Sequence, residues 1–523
     1  MFLKLVSCLV LIFLIISFAG CGNPETPAAP ATAVVPAAPE TPQLAEPIDP
    51  WDIVDITMVY MVAGGRPVPS GIDEVFEAIN EITGQEIGVH VTPMIMEAGV
   101  YTAQVNLMLT AREPIDLLQT VTAGAMSFTV AAPQGHFMPL DDLLATYGQG
   151  IVETLGPLIH ATNIGGRTFG LSGYRSLVSN IYMAMRLDVL EELDILELAQ
   201  NIRSIDDLTA IYEIVATETN LVPVVGDQNA IILAIHGTVF DDVFDNWESF
   251  DNLGDTLQLI RVAEDGTVIN HFASSEFRRS VEVVRDWYER GFVYRDLAIA
   301  SDHPASFLRN DVGFSYFFGT EIGGEIVHQN LAGMPLHFIR ISSGPQVTTG
   351  NARSFTWTIP SASREPEAAM KFLNLMYTDE RIANLLAFGL EGRDYVIGPD
   401  GMADFPEGLD ASTVPYHIHD FIFGNQFLKH PWAGTLPDLR QRAHLEMQAI
   451  GASQFLGFSA DLEPIQHEVM AVQGVLDQFR RQIVSGSAPM AVFEEFLQRL
   501  EQVGASDIVA EYQRQLDEWL AQR

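Results

Sequence analysis

The side chains with the clearest capacity for chemistry are the carboxylates, since the 523-residue chain holds 68 of them against 28 lysines and arginines. Paired carboxylates can hydrolyse glycosides, but at this abundance pairs arise by chance and carry no information. Gly170-Leu171-Ser172-Gly173 offers a serine between glycines. A nucleophile elbow would need its second glycine at Tyr174, so the motif is absent. Neither a phosphate-binding loop nor an H-E-x-x-H helix occurs. His417-Ile418-His419-Asp420 would place two imidazoles on one face of a strand; two surface histidines in a loop are the more ordinary reading. Asp241, Asp242, Asp245, Asp251 and Asp255 lack the spacing and glycine of a calcium loop, and read as a solvated acidic loop. These observations argue against an enzyme, with no catalytic residue, metal ligand or cofactor assigned.

The one thiol with a distinctive setting is Cys21. Cys8, the other cysteine, lies inside an apolar run from Leu5 to Ala19 that follows Lys4. A positive start, an apolar core of about fifteen residues and small residues before a cleavage point describe a signal peptide. An uncleaved anchor is the alternative, although about 20 apolar residues are usual for a span. Ile16-Ser17-Phe18-Ala19-Gly20-Cys21 resembles a bacterial lipobox, with Phe18 where leucine is usual. The resemblance implies cleavage between Gly20 and Cys21 and acylation of Cys21. The expected location is the extracytoplasmic face of the cell membrane, held by lipid. The mature chain would then have no disulfide and no cysteine-based metal site.

The formal charge of −40 repels phosphate backbones and excludes nucleic acid as a partner. Residues 21–52 form a linker punctuated by Pro24, Pro27, Pro30, Pro36, Pro39, Pro42, Pro47 and Pro50. It holds few large apolar groups to bury, and in polyproline form it would reach at most about 90 Å.

Beyond it, Ile56 to Met61 reads as a buried strand, broken by Gly64 and Gly65. Ile72, Val75, Phe76, Ile79 and Ile82 recur at helical spacing. Val89 to Met96 is a second strand, Tyr101, Val105 and Met108 share a helix face, and Ile115 to Val121 is a third strand. This alternation predicts a mostly parallel sheet covered by helices. A helical stretch begins at Leu140, and the glycine-rich Gly165 to Tyr174 marks a crossing between lobes. Helices are predicted over Met183–Leu193, Ile205–Glu218 and Ser275–Arg290, and a strand over Phe314–Phe318. Phe355 to Pro360 is extended, Pro366 opens a helix, and Thr378 is placed to cap the next. From Val469 the chain reads as two or three amphipathic helices.

Several stretches together resemble the extracellular solute-binding lipoproteins of bacterial ABC importers, sugar type. They are Val105 to Leu109 followed by Pro114-Ile115-Asp116-Leu117, then Pro139 to Leu144, and Asp286-Trp287-Tyr288-Glu289-Arg290-Gly291-Phe292. Pro366 to Leu375 and Gly389 to Tyr395 add the longest match, and Glu511 to Asp517 is similar to a C-terminal domain of unknown function in that branch. The resemblance implies an α/β, two-lobed periplasmic-binding-protein-like fold of type II, with a hinge, an interlobe cleft and a helical C-terminal region. Residues 1–20 would be the signal peptide, 53–166 and 347–399 lobe one, 167–346 lobe two, and 400–523 a region packing on both.

The resemblance also implies a monomeric receptor that captures a carbohydrate, an oligosaccharide by expectation, and delivers it to membrane permease subunits. A sugar needs ring faces for its C–H surfaces and fixed polar groups for its hydroxyls. At strand ends and crossings the candidates are Tyr60, Tyr101, Tyr174, Arg175, Tyr316, Trp357 and Glu391. The competing role of each aromatic is to fill a core, and of Arg175 and Glu391 to pair at the surface or hinge. A peptide ligand on the same fold, or an adhesion or sensory module without transport, remain the alternatives.

Overall fold

The computed structural model describes residues 53–62, 67–121, 126–226, 238–239, 241–244, 248–342 and 346–523. The leader, the lipobox with Cys21, the proline-rich linker, Gly64, Gly65 and Asp245 lie outside the described residues.

The strand Val54–Val62 is central because its residues are apolar nearly without interruption, as a strand covered on both faces requires. The helix Ile72–Glu86 returns the chain, burying Val75, Phe76 and Ile79. Val89–Glu97 then pairs parallel with the first strand, from Val54 opposite Val89 to Val62 opposite Glu97. After the helix Ala98–Thr110, Leu117–Gln119 pairs parallel on the other side, with Met58 opposite Leu117. Trp357–Thr358, far along the chain, completes this sheet antiparallel to Leu117–Gln119.

The second sheet has the order Leu336–Ser342, Asn180–Arg186, Gly313–Thr320, Val222–Val224. Here one expectation is corrected: Met183 to Leu193 is not a helix throughout. Asn180–Arg186 is a strand buried along its whole length, and the helix is confined to Leu187–Glu192. An apolar run buried on both faces has no alternation to separate strand from helix. Helix Ile205–Glu218 starts at Ser204, whose hydroxyl accepts the Asp207 N–H. Trp287, from the helix Ser275–Glu289, sets its ring against Tyr212 at 5.1 Å and donates to Thr209 Oγ1 at 2.9 Å.

Two crossings join the sheets. On the outward one, Leu171 exchanges backbone hydrogen bonds with Trp357 at 2.8 and 2.9 Å, and Leu177 and Val178 still lie in the first core. The second sheet starts two residues later, at Asn180. On the return, Val347 and Ala352 rejoin the first core. The two crossings are tied where Asn351 Nδ2 donates to the Leu177 carbonyl at 3.3 Å.

Helices Pro366–Thr378 and Glu380–Phe388 follow. The cap of the second is Asp379, which accepts the N–H groups of Arg381 and Ile382; Thr378 instead donates to the Asn374 carbonyl within its own helix. Tyr416, Ile418, Ile422 and Phe423 fill the first core. The last three helices, Gln466–Val484, Met490–Gln502 and Ala505–Leu520, share a separate core with residues 253–281. Phe479, Phe493, Phe496 and Tyr512 there meet Leu257, Ile260, Phe272 and Phe277. Each such side chain contributes about 1.5–3 kcal/mol by burial. Among the described residues no helix is long and apolar enough to cross a membrane.

Candidate functional site

A cavity of about 660 Å³ opens where the two sheets and both crossings converge, within the usual range of about 300–1,000 Å³ for ligand sites. The first sheet contributes Val121, Ser127, Phe128 and Thr129, just beyond the C-terminal end of Leu117–Gln119. In open α/β sheets that end is where ligands bind. Arg175 to Ser179 supply the outward crossing, and Thr348, Gly350, Asn351 and Arg353 the return. Thr320 and Glu321 come from the end of the Gly313–Thr320 strand, and residues 250–258 form a further wall. Phe421 and Gln426 close it from the segment that places Ile422 and Phe423 in the first core.

The return crossing is fixed locally. Thr348 caps the short helix Thr349–Ala352 reciprocally with Asn351: its hydroxyl accepts the Asn351 N–H, and Asn351 Oδ1 accepts the Thr348 N–H. Gly350 lies so near Gly254 that a Cβ there would stand 3.3 Å from the Gly254 Cα. The crossing and the 250–258 wall therefore touch through backbone. On the outward crossing, Ser176 N–H donates to Gln426 Oε1 at 3.2 Å, and Gln426 N–H to the Tyr174 carbonyl at 2.8 Å.

Asp251 and Asp255 are not solvated as the sequence suggested; they are 7% and 5% exposed. Asp255 accepts backbone N–H groups from Leu257, Leu259 and Ile260 at 2.9, 2.7 and 2.9 Å. Burial nevertheless raises its pKa above the usual carboxylate value, the three amides opposing that shift. Asp251 is raised for the same reason and accepts the Leu253 N–H. Arg353 is buried, donates to two carbonyls and a hydroxyl, and has its pKa lowered to about 10 by burial; it stays charged at neutral pH.

Of the seven residues proposed from sequence, Arg175 lines the cavity. Tyr174 stands beside it, half-buried, edge-on to Phe427 at 5.2 Å and to His444 at 5.8 Å. The other five stand elsewhere. Tyr60 and Trp357 are fully buried in the first core around Phe423. Tyr101 is buried and donates to the Gln119 carbonyl. Tyr316 is buried on the second sheet, sharing a hydrogen bond with His328 at 3.1 Å. Glu391 is exposed in a turn bridged to Tyr395. Strand alternation turns Tyr60, Tyr316 and Trp357 inward rather than past the strand end, and Tyr101 lies on the buried face of the helix Ala98–Thr110.

The rings that do line the cavity are Phe128, Phe250 and Phe421, beside the polar groups of Ser127, Asn252, Gln258 and Asn351. No local pattern singles them out, because they come from four segments joined only by the fold. His417 lies among Phe388, Phe405 and Trp432. Among the described residues no three His, Cys, Asp or Glu side chains gather as a metal site.

Flat rings with scattered donors and acceptors can pack against and hydrogen-bond a polyhydroxylated ligand. Comparison with known proteins agrees with this architecture. Residues 454–521 match the family described as a domain of unknown function, DUF3502. Over 471 residues the chain is 21% identical to a carbohydrate ABC transporter substrate-binding protein of Streptococcus pneumoniae, covering 86% of this chain and 89% of that one. The crystal structure of the N-glycan transport solute binding protein NgtS from Streptococcus pneumoniae superposes with a TM-score of 0.75 at 19% identity, covering 89% of this chain and 99% of that chain. The same protein in complex with Man5GlcNAc gives 0.64 at 18% identity, covering 90% and 99%. The chain thus has the α/β fold of the extracellular solute-binding proteins, with a DUF3502 region at its C-terminal end.

Proposed function

We propose that this protein is the substrate-binding component of an ABC importer and that the cavity takes an oligosaccharide. One observation carries the reading: a single cavity is walled by both sheets, both crossings and the segment behind them. A ligand held there touches both lobes, so it favours the closed arrangement by its differential affinity. The carbohydrate named for the Streptococcus pneumoniae relative supports that ligand class, as do the rings and neutral polar groups of the wall. Arg175 is the residue from the sequence reading that we assign to ligand contact.

The closed form then docks on membrane permease subunits, and ATP hydrolysis belongs to partner subunits. Residues 53–178 with 347–399 act as one lobe and 180–346 as the other, the outward boundary lying later than the 166/167 expected from sequence because the cores change at Val178 to Asn180. The lipobox-like sequence ending at Cys21 supports a lipid anchor on the extracytoplasmic face, with residues 21–52 as tether.

A thermal-shift screen of the purified protein tests the ligand class, using glucose, maltotriose, mannotriose, chitotriose and lacto-N-tetraose against tripeptides. A ligand at a hundred times its Kd stabilises by about 2.7 kcal/mol, read as a shift of several degrees. Stabilisation by a saccharide is the expected result; stabilisation by tripeptides alone overturns the ligand class.

A further inference from the structure

The wall formed by residues 250–258 is backbone that would not hold its shape unaided. Leu253, Gly254 and Gln258 have φ of 54°, 77° and 60°, and for two of them a Cβ makes this left-handed region costly. Such conformations persist where the surroundings over-determine them. Part of that comes from within: Asp255 gathers three amides, and Asn252 Nδ2 donates to the Asp255 carbonyl at 2.8 Å.

The rest comes from the C-terminal helices. Leu253, Leu257, Leu259 and Ile260 are buried in the core that also holds Val472, Leu476 and Tyr512. They have no place in the core of the second sheet. One polar side chain also reaches the wall from those helices. Arg480, on the helix Gln466–Val484, donates Nη2–H to Gln258 Oε1, and Gln258 lines the cavity. A guanidinium has donors only, so it fixes the Gln258 carboxamide with its oxygen toward Arg480 and its NH2 directed away. Among the described residues no carboxylate stands within ion-pair distance of Arg480. Burial holds its pKa below the ordinary arginine value. Its guanidinium is thus committed to a neutral amide.

We infer that the DUF3502 region shapes the ligand-binding wall, with Arg480 as the positioning residue that orients Gln258 toward a hydroxylated ligand. The ligand half of this inference rests on the carbohydrate reading of the cavity; the positioning half does not. The function assigned to the C-terminal region is then to template one wall of the site.

The test pairs calorimetric titration, using whichever saccharide of the screen binds the wild type most tightly, with hydrogen exchange of residues 250–260 in the free protein. Arg480→Met is expected to weaken binding about tenfold or more and to speed exchange at Leu257, Leu259 and Ile260, with Tm nearly unchanged. Arg480→Lys is expected to restore part of both. If Arg480→Met does not fold, Gln258→Asn serves in its place: asparagine tolerates the left-handed backbone but is one methylene too short to meet Arg480, and the same weakening is expected. Wherever the wild type binds, unchanged affinity in the variant overturns the inference. If the wild type binds no saccharide, the carbohydrate reading fails, and exchange alone decides: acceleration upholds the positioning role and unchanged exchange overturns it.

Discussion

Arg353 Nε donates to the carbonyl oxygen of Ala161 across 2.7 Å. Its Nη2 reaches the Asn163 carbonyl at 3.3 Å and its Nη1 the Ser459 hydroxyl at 3.0 Å, with the Phe128 ring 5.4 Å away. One guanidinium thereby joins the return crossing to the segment 161–163 beside the first core and to Ser459 near the start of the C-terminal region. Its planar fork meets the three acceptors from three separate nitrogens, a spread that the one nitrogen of an ammonium does not span. Arg353→Lys is expected to lower the unfolding free energy by about 1–3 kcal/mol, the range for a buried acceptor left unpaired. Urea unfolding followed by circular dichroism reads this; an unchanged midpoint and slope would remove Arg353 from the joint.

Trp357 separates a core role from a binding role. Its Nε1 donates to the Ile422 carbonyl at 2.9 Å, and its ring is stacked on Phe423 with centroids 6.1 Å apart. It does not line the cavity. Trp357→Phe is therefore expected to cost about 1–3 kcal/mol through lost contacts and an unpaired carbonyl. Affinity for the saccharide is expected to stay within about twofold of wild type. A large loss of affinity with stability intact would place the indole at the ligand instead.

These two residues also mark what the sequence discloses. The parallel β-α-β run from Val54 to Gln119 was legible because its apolar runs and helical spacings are local properties. Helix Ile205–Glu218 was legible for the same reason. Met183 misled because a strand covered on both faces and a buried helix share one apolar pattern. The site was mostly hidden. That an aromatic lies near a strand end can be read locally, but whether it faces inward or outward depends on register. Asp255 looked like any acidic loop residue; its burial follows from helices more than two hundred residues later packing behind it. Arg175, which falls on the cavity wall, is legible because a crossing is readable from its glycines.

Arg175 is the point at which the carbohydrate reading meets a single side chain. It lies on the outward crossing and lines the cavity beside Ser176 and Asn351. Arg175→Ala is expected to weaken saccharide binding at least tenfold, or about 1.4 kcal/mol. Tm in the absence of ligand should move by no more than a few degrees. Titration calorimetry with the tightest saccharide of the screen supplies the comparison, and wild-type affinity in the variant would leave Arg175 as a hinge residue without ligand contact.

His328 gives the fold a pH dependence with a definite sign. Its ring is stacked on Phe318 with centroids 3.7 Å apart, shares a hydrogen bond with Tyr316, and stands 5.9 Å from His303. Burial, and secondarily the His303 charge, lower its pKa to about 4 from an ordinary 6.5. The unfolded chain therefore takes up a proton at a pH where the folded protein does not. Stability from this group is fully present above about pH 6.5 and is lost as pH falls toward about 4. His328→Phe keeps a ring against Phe318 and removes the titration. The wild type is expected to lose more of its Tm between about pH 7 and about pH 5 than the variant does. Parallel Tm profiles for the two proteins would mean that acid acts on the fold through other groups.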